Sequence, residues 1–104
     1  MKINVTPTFK STVTVKTQEG IDTCTATFKA IPFSQLEEFD LDTPEGTRKA
    51  LGELLIELDG LEDANGKSVP FCDEVLDWIL DQPIHRAAVF EAYTKGIQEA
   101  ATGN

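Results

Sequence analysis

Apolar and polar residues alternate along two stretches near the start of the chain. Residues 9–16 and 22–30 are rich in Thr, Val and Phe, and Gln18-Glu19-Gly20 lies between them. Alternation with a period of two, interrupted by turn residues, is typical of a β-hairpin. We therefore predict an antiparallel hairpin over residues 9–30.

The burial of apolar side chains suggests a register for this hairpin. A two- or four-residue loop gives pairs whose residue numbers sum to 39, and one face then becomes almost wholly apolar while threonines line the other. The predicted apolar pairs are Val15 with Cys24, Val13 with Ala26, Ser11 with Phe28, and Phe9 with Ala30. A three-residue loop would scatter the apolar residues over both faces.

Helical spacing begins after the hairpin. Ser34-Gln35-Leu36-Glu37 matches a capping box and predicts a short helix. Thr43 and Pro44 fit the N-cap and the first position of a second helix, which Gly60 is expected to end. Its apolar positions recur at helical spacing, at Ala50, Leu51, Leu54, Leu55 and Leu58.

Two further helices follow a turn. Asn65-Gly66 favours a tight reversal, around which Leu61-Glu62 and Ser68-Val69 can form a very short ladder. A third helix is predicted over residues 73–80, and Pro83 fits the first position of a fourth. The third helix is expected to bury Val75, Leu76, Ile79 and Trp78.

The last helix is apolar on two sides. Ala87, Phe90 and Ile97 can face the core, whereas Val89 and Tyr93 form a second stripe. A helix with two apolar sides is either wedged deep in the fold or presents one side to a partner. Both alternatives remain open on the sequence. The candidate partner-binding residues are Val89, Tyr93, Phe90 and Trp78.

These elements predict an α+β fold in which an N-terminal antiparallel β-hairpin packs on a bundle of about four short α-helices. A chain of 104 residues has room for one core, so we expect a single domain over residues 1–104, with the hairpin at 9–30 and the helical part at 34–100.

Charge is divided unevenly between the two parts. Residues 1–33 contain four lysines and two acidic residues, for a net charge of +2, whereas residues 34–104 contain five basic and sixteen acidic residues, for −11. So acidic a region repels phosphate backbones and anionic lipids. We therefore expect no direct contact with nucleic acid or membranes. A basic protein partner, or simple solubility, explains the charge.

The sequence offers little chemistry. His85 is the only histidine, and Cys24 and Cys72 lie in unlike contexts. A zinc site needs three or four ligands, and a general base needs a positioned partner. We expect a surface His85, two buried free thiols, and neither metal nor cofactor. No phosphate-binding glycine loop or nucleophile elbow occurs, so we do not expect an enzyme.

No apolar run approaches the ~20 residues that span a bilayer. The first residues become polar too early for a signal peptide. We therefore expect a cytoplasmic protein.

Residues 50–93 resemble the tail assembly chaperones of long-tailed bacteriophages. The resemblance is carried by the leucine-rich helix ending near Leu58-Asp59-Gly60, by the link from Glu62 to Phe71, and by the paired short helices closing with Ala88-Val89-Phe90-Glu91-Ala92-Tyr93. A Thr-rich strand pair before such a segment is also similar. Leu58 and Leu61 stand where family members often have tryptophan, and Cys72 stands where they tend to have serine.

The resemblance implies a phage or prophage protein of the host bacterial cytoplasm that is absent from the mature virion. It implies a non-catalytic partner of the tape measure protein and of the tail tube protein, and self-association is also open. An acidic DNA mimic that inhibits a host nucleic-acid-binding enzyme is the alternative. Its carboxylates would have to be spaced regularly over one face.

Overall fold

A computed structural model describes residues 1–102 and contains three strands and four helices. The predicted α+β architecture is confirmed, with the hairpin at the start and the helices packed on it. The elements are β1 (Thr8–Thr17), β2 (Gly20–Lys29), α1 (Phe33–Leu36), α2 (Pro44–Leu54), β3 (Leu55–Asp59), α3 (Asp73–Asp81) and α4 (Pro83–Thr102).

The strands form one antiparallel sheet in the order β1-β2-β3, so β1 and β3 are its edges. Along β1 the odd-numbered residues from Phe9 to Val15 are buried or half-buried, whereas Lys10, Thr12 and Thr14 between them are exposed. The face rich in threonine is therefore exposed, and the helices cover the other. The predicted division of the hairpin into an apolar and a wet face is confirmed.

The register differs from the predicted one by two residues. Val13 pairs with Cys24 and Phe9 with Phe28, so paired numbers sum to 37. The strands continue to a tight turn in which Thr17 pairs with Gly20 and the Thr17 hydroxyl accepts a hydrogen bond from the Glu19 N–H at 3.2 Å. A shift of two keeps every side chain on its face, because side chains alternate with a period of two.

The third strand is where the sequence-based prediction was wrong. The leucine-rich helix ends at Leu54, and β3 follows at once and pairs with β2. Leu55 and Leu58 lie three residues apart, which would place them on opposite faces of a regular strand. The register shifts between the pairs Thr27–Glu57 and Phe28–Leu55, which leaves Ile56 as an extra residue. Both leucines therefore face the core. This β-bulge makes a helical spacing compatible with a strand.

The helix starts were predicted with mixed success. Thr43 caps α2 as expected, since its hydroxyl oxygen accepts a hydrogen bond from the Gly46 N–H at 3.0 Å. The capping box at Ser34 does not form. The single turn of α1 begins after Pro32, whose carbonyl accepts from the N–H groups of Gln35 and Leu36, so Ser34 lies inside the turn.

The core lies between the sheet and the helices, and α4 packs chiefly along β1. Phe9, Phe28 and Tyr93 form an aromatic cluster with ring centroids 5.4–5.6 Å apart, joining both hairpin strands to α4. Gly96 allows this approach, because a Cβ there would lie 2.6 Å from a ring carbon of Phe9 and 3.0 Å from the Cβ of Ser11. Helix and strand therefore meet closely at Gly96.

Two helical glycines provide a matched test of this contact. Gly96→Ala is expected to lower the free energy of unfolding by about 1–3 kcal/mol, because the added methyl overpacks against Phe9. Gly52→Ala, in open space on α2, is expected to raise it by up to about 1 kcal/mol through helix propensity. Urea unfolding followed by circular dichroism measures both; a stabilised Gly96→Ala variant would contradict the close packing.

Candidate binding groove

A concave groove of about 270 Å³ opens where the turn end of the hairpin meets the 61–69 loop, α3 and the start of α4. Its floor is made by core residues and its walls by half-buried aliphatic side chains. The lining residues are Val13, Val15, Asp22, Thr23, Cys24, Leu58, Gly60, Leu61, Glu62, Val69, Val75, Trp78, Ile79, His85 and Val89.

The loop wall is held by its own hydrogen bonds. The Asp63 carboxylate accepts from two backbone N–H groups of the Asn-Gly turn, at 2.8 and 3.0 Å. Glu62 pairs with Ser68, and the Val69 N–H donates to the Leu61 carbonyl at 2.9 Å. The short ladder predicted here is confirmed. It holds the side chains of Leu61 and Val69 against the groove.

The opposite wall is the corner between α3 and α4. Pro83 begins α4, and the Arg86 guanidinium donates to the Leu80 carbonyl at 3.1 Å, tying the two helix ends together. At this corner the ring of Trp78 meets that of His85 edge-on, with centroids 5.3 Å apart. Trp78 is 56% exposed, although the sequence suggested that it would be buried. A large aromatic side chain therefore stands at the rim of an apolar groove.

His85 was predicted to be a surface residue, but it is half-buried. Among the side chains of residues 1–102, its Nδ1 is the one buried nitrogen or oxygen that has no hydrogen-bond partner within the protein. A buried polar atom without a hydrogen bond lowers the free energy of unfolding by about 1–3 kcal/mol. This burial could not be predicted from the sequence, because the contact between His85 and Trp78 depends on how the chain turns at Pro83.

The polar part of the groove is acidic. Asp22 and Glu62 are the lining residues with a formal charge, and both are carboxylates. Burial, reinforced by the negative charge of Asp22, raises the pKa of the Cys24 thiol. Both cysteines are free, as predicted, but their predicted burial is only partly right: Cys24 is half-buried, whereas Cys72, at the N-cap position just before α3, is exposed.

The candidate partner-binding residues lie in different environments. Val89 and Tyr93 are 1% and 7% exposed and belong to the core, so α4 is wedged between β1 and the neighbouring helices. Val89 also forms part of the groove floor. Phe90 is half-buried against the core. Of the four, Trp78 is the one with a largely accessible side chain.

Comparisons with protein-family models, curated proteins and solved structures gave no match. Within residues 1–102, every helix is too short or too polar to traverse a lipid bilayer. In the same range no three His, Cys, Asp or Glu side chains come together as a metal site. The groove and the charge distribution are therefore the features from which a function can be inferred.

The floor and the rim of the groove should respond differently to mutation. Val89→Asp is expected to lower the free energy of unfolding by more than about 3 kcal/mol, because it buries an unpaired charge. Trp78→Ser should cost about 1 kcal/mol or less, since its side chain is mostly exposed. Far-UV circular dichroism in urea measures both. A stable Val89→Asp protein would place Val89 outside the core.

The two thiols should also differ in reactivity. In a Cys72→Ser protein, Cys24 is expected to react slowly with a thiol-specific reagent at pH 8 and faster as the pH rises, because its raised pKa keeps it protonated. In the matched Cys24→Ser protein, the exposed Cys72 should react rapidly. Equal rates at pH 8 would show that the groove does not shield Cys24.

Proposed function

We propose that this protein is a non-enzymatic assembly chaperone of long-tailed bacteriophages, which binds the tape measure protein and keeps it soluble during tail morphogenesis. The observation that carries the proposal is the apolar groove with Trp78 at its rim, on a surface dominated by negative charge. A chaperone needs both parts, since apolar surface holds the client and like charge keeps the complexes apart.

The position of the groove in the sequence supports the proposal. Residues 50–93 carry the resemblance to phage tail assembly chaperones, and ten of the fifteen groove-lining residues fall within that range. The other five come from the hairpin. The part of the chain that resembles the family is thus the part that builds most of the groove.

The distribution of acidic residues supports it further. All 18 Asp and Glu side chains are exposed. Their ion pairs are sparse and weak, as in the solvent-exposed contact of 3.6 Å between Arg48 and Asp81. Most of the negative charge therefore remains uncompensated and available to repel other copies of the complex.

Such a chaperone works in the cytoplasm of the host bacterium and is absent from the finished virion. The tail tube protein is its proposed second partner. A homo-oligomeric form is compatible with this role.

Co-expression with the tape measure protein, followed by size-exclusion chromatography with light scattering, tests the function. We expect a soluble complex that precipitates when this chain is omitted. Trp78→Ala should reduce the recovered complex severalfold, because it removes the exposed aromatic side chain at the groove rim. Phe33→Ala is the matched control, since Phe33 is equally an exposed aromatic residue but does not line the groove.

The contrary outcome is an insoluble tape measure protein beside a free copy of this chain. That result would reject the chaperone function. It would favour the acidic DNA mimic, for which the exposure of every carboxylate is the supporting observation. Inhibition of host nucleases, measured with and without added salt, would then be the deciding assay.

A further inference from the structure

We infer that the groove recognises one kind of protein segment: one or two bulky apolar side chains flanked by lysine or arginine. The inference rests on the proposed function, because it specifies which part of a client the groove would take. It is carried by the size of the groove, by the sign of the charges around it and by the two rings at its rim.

The size of the groove fits one or two side chains of a protein. It holds about 270 Å³, near the lower end of the roughly 300–1,000 Å³ common for ligand pockets, and it opens to solvent. The space suits one or two large apolar side chains entering from outside. Val75 and Leu61 offer aliphatic contacts along the walls, and Ile79 forms part of the floor.

The charge around the groove selects the flanks of the segment. Asp22 and Glu62 line it, and no lysine or arginine does. On α3, the helix that supplies Trp78, four of the nine residues are acidic and none is basic. A segment with acidic flanks would be repelled, whereas Lys or Arg flanks would be attracted. Charge complementarity therefore discriminates between apolar segments of equal size.

The rim supplies an aromatic anchor and one polar contact. Trp78 can contact an inserted side chain, because more than half of its surface is exposed. His85 lies beside it and lacks a partner for Nδ1 within the protein. Because this nitrogen is buried, a bound segment reaches it only when the His85 ring turns towards the groove, and a hydrogen bond made there would remove the cost of the unpaired atom.

The test uses the sole tryptophan of the chain as its reporter. The probes are two synthetic 18-residue peptides with leucines at identical helical positions, one with lysines and the other with glutamates at the polar positions. The lysine peptide is expected to shift Trp78 emission to shorter wavelengths in a saturable manner. The glutamate peptide should leave it unchanged at the same concentrations, and added salt should weaken the lysine peptide.

A pair of charge reversals separates the groove from the net charge. Glu62→Lys should weaken binding of the lysine peptide about fivefold, because it reverses a charge at the groove. Glu99→Lys, an equal change at an exposed position of α4 outside the groove, should weaken it less than about twofold. Equal weakening by the two variants would overturn the inference, as would binding without any change in Trp78 emission.

Two further outcomes separate this inference from the proposed function. If Glu62→Lys and Trp78→Ala proteins still solubilise the tape measure protein fully, the function stands and the groove inference falls. If the peptides behave as expected but the tape measure protein stays insoluble, the groove inference stands and the function falls.

A free protein whose Trp78 emission changes on self-association would show that another copy fills the groove, which also overturns the inference.

Discussion

The contact between α4 and the apolar face of the hairpin is the one on which the rest of the structure depends. A two-stranded hairpin cannot bury its own face, and a 20-residue helix cannot bury both its apolar sides on one neighbour. Phe9, Phe28 and Tyr93 join the two elements, and Gly96 removes the side chain that would keep them apart. Once α4 is in place, its other side becomes the surface on which α2 and α3 pack.

Much of this arrangement could be predicted because it follows from local patterns. The hairpin faces follow from alternation, and the starts of α2 and α4 follow from Thr43, Pro44 and Pro83. The third strand could not be predicted in this way, because a β-bulge at Ile56 lets two leucines with helical spacing both face the core. The bulge exists only when β2 is alongside, so residues 55–59 taken alone carry no sign of it.

The groove could be predicted only in part, and for a related reason. Trp78 was identified as a partner-binding candidate, but its exposure depends on the angle at which α3 meets α4. Val89 and Tyr93 were candidates because α4 has two apolar sides, and the sequence could not tell that both would be covered. The walls come from five separate segments, and only tertiary packing brings them together.

The edges of the sheet determine how readily the molecule can pair with other chains. An open strand edge is a template on which another extended chain can grow, and repeated growth leads to fibres. Here one edge strand carries Lys10 and Lys16, and the other is five residues long and interrupted at Ile56. Neither edge offers a long, flat, uncharged row of backbone groups. The bulge that brings Leu55 and Leu58 into the core thus also makes this edge of the sheet a poor template for a second extended chain.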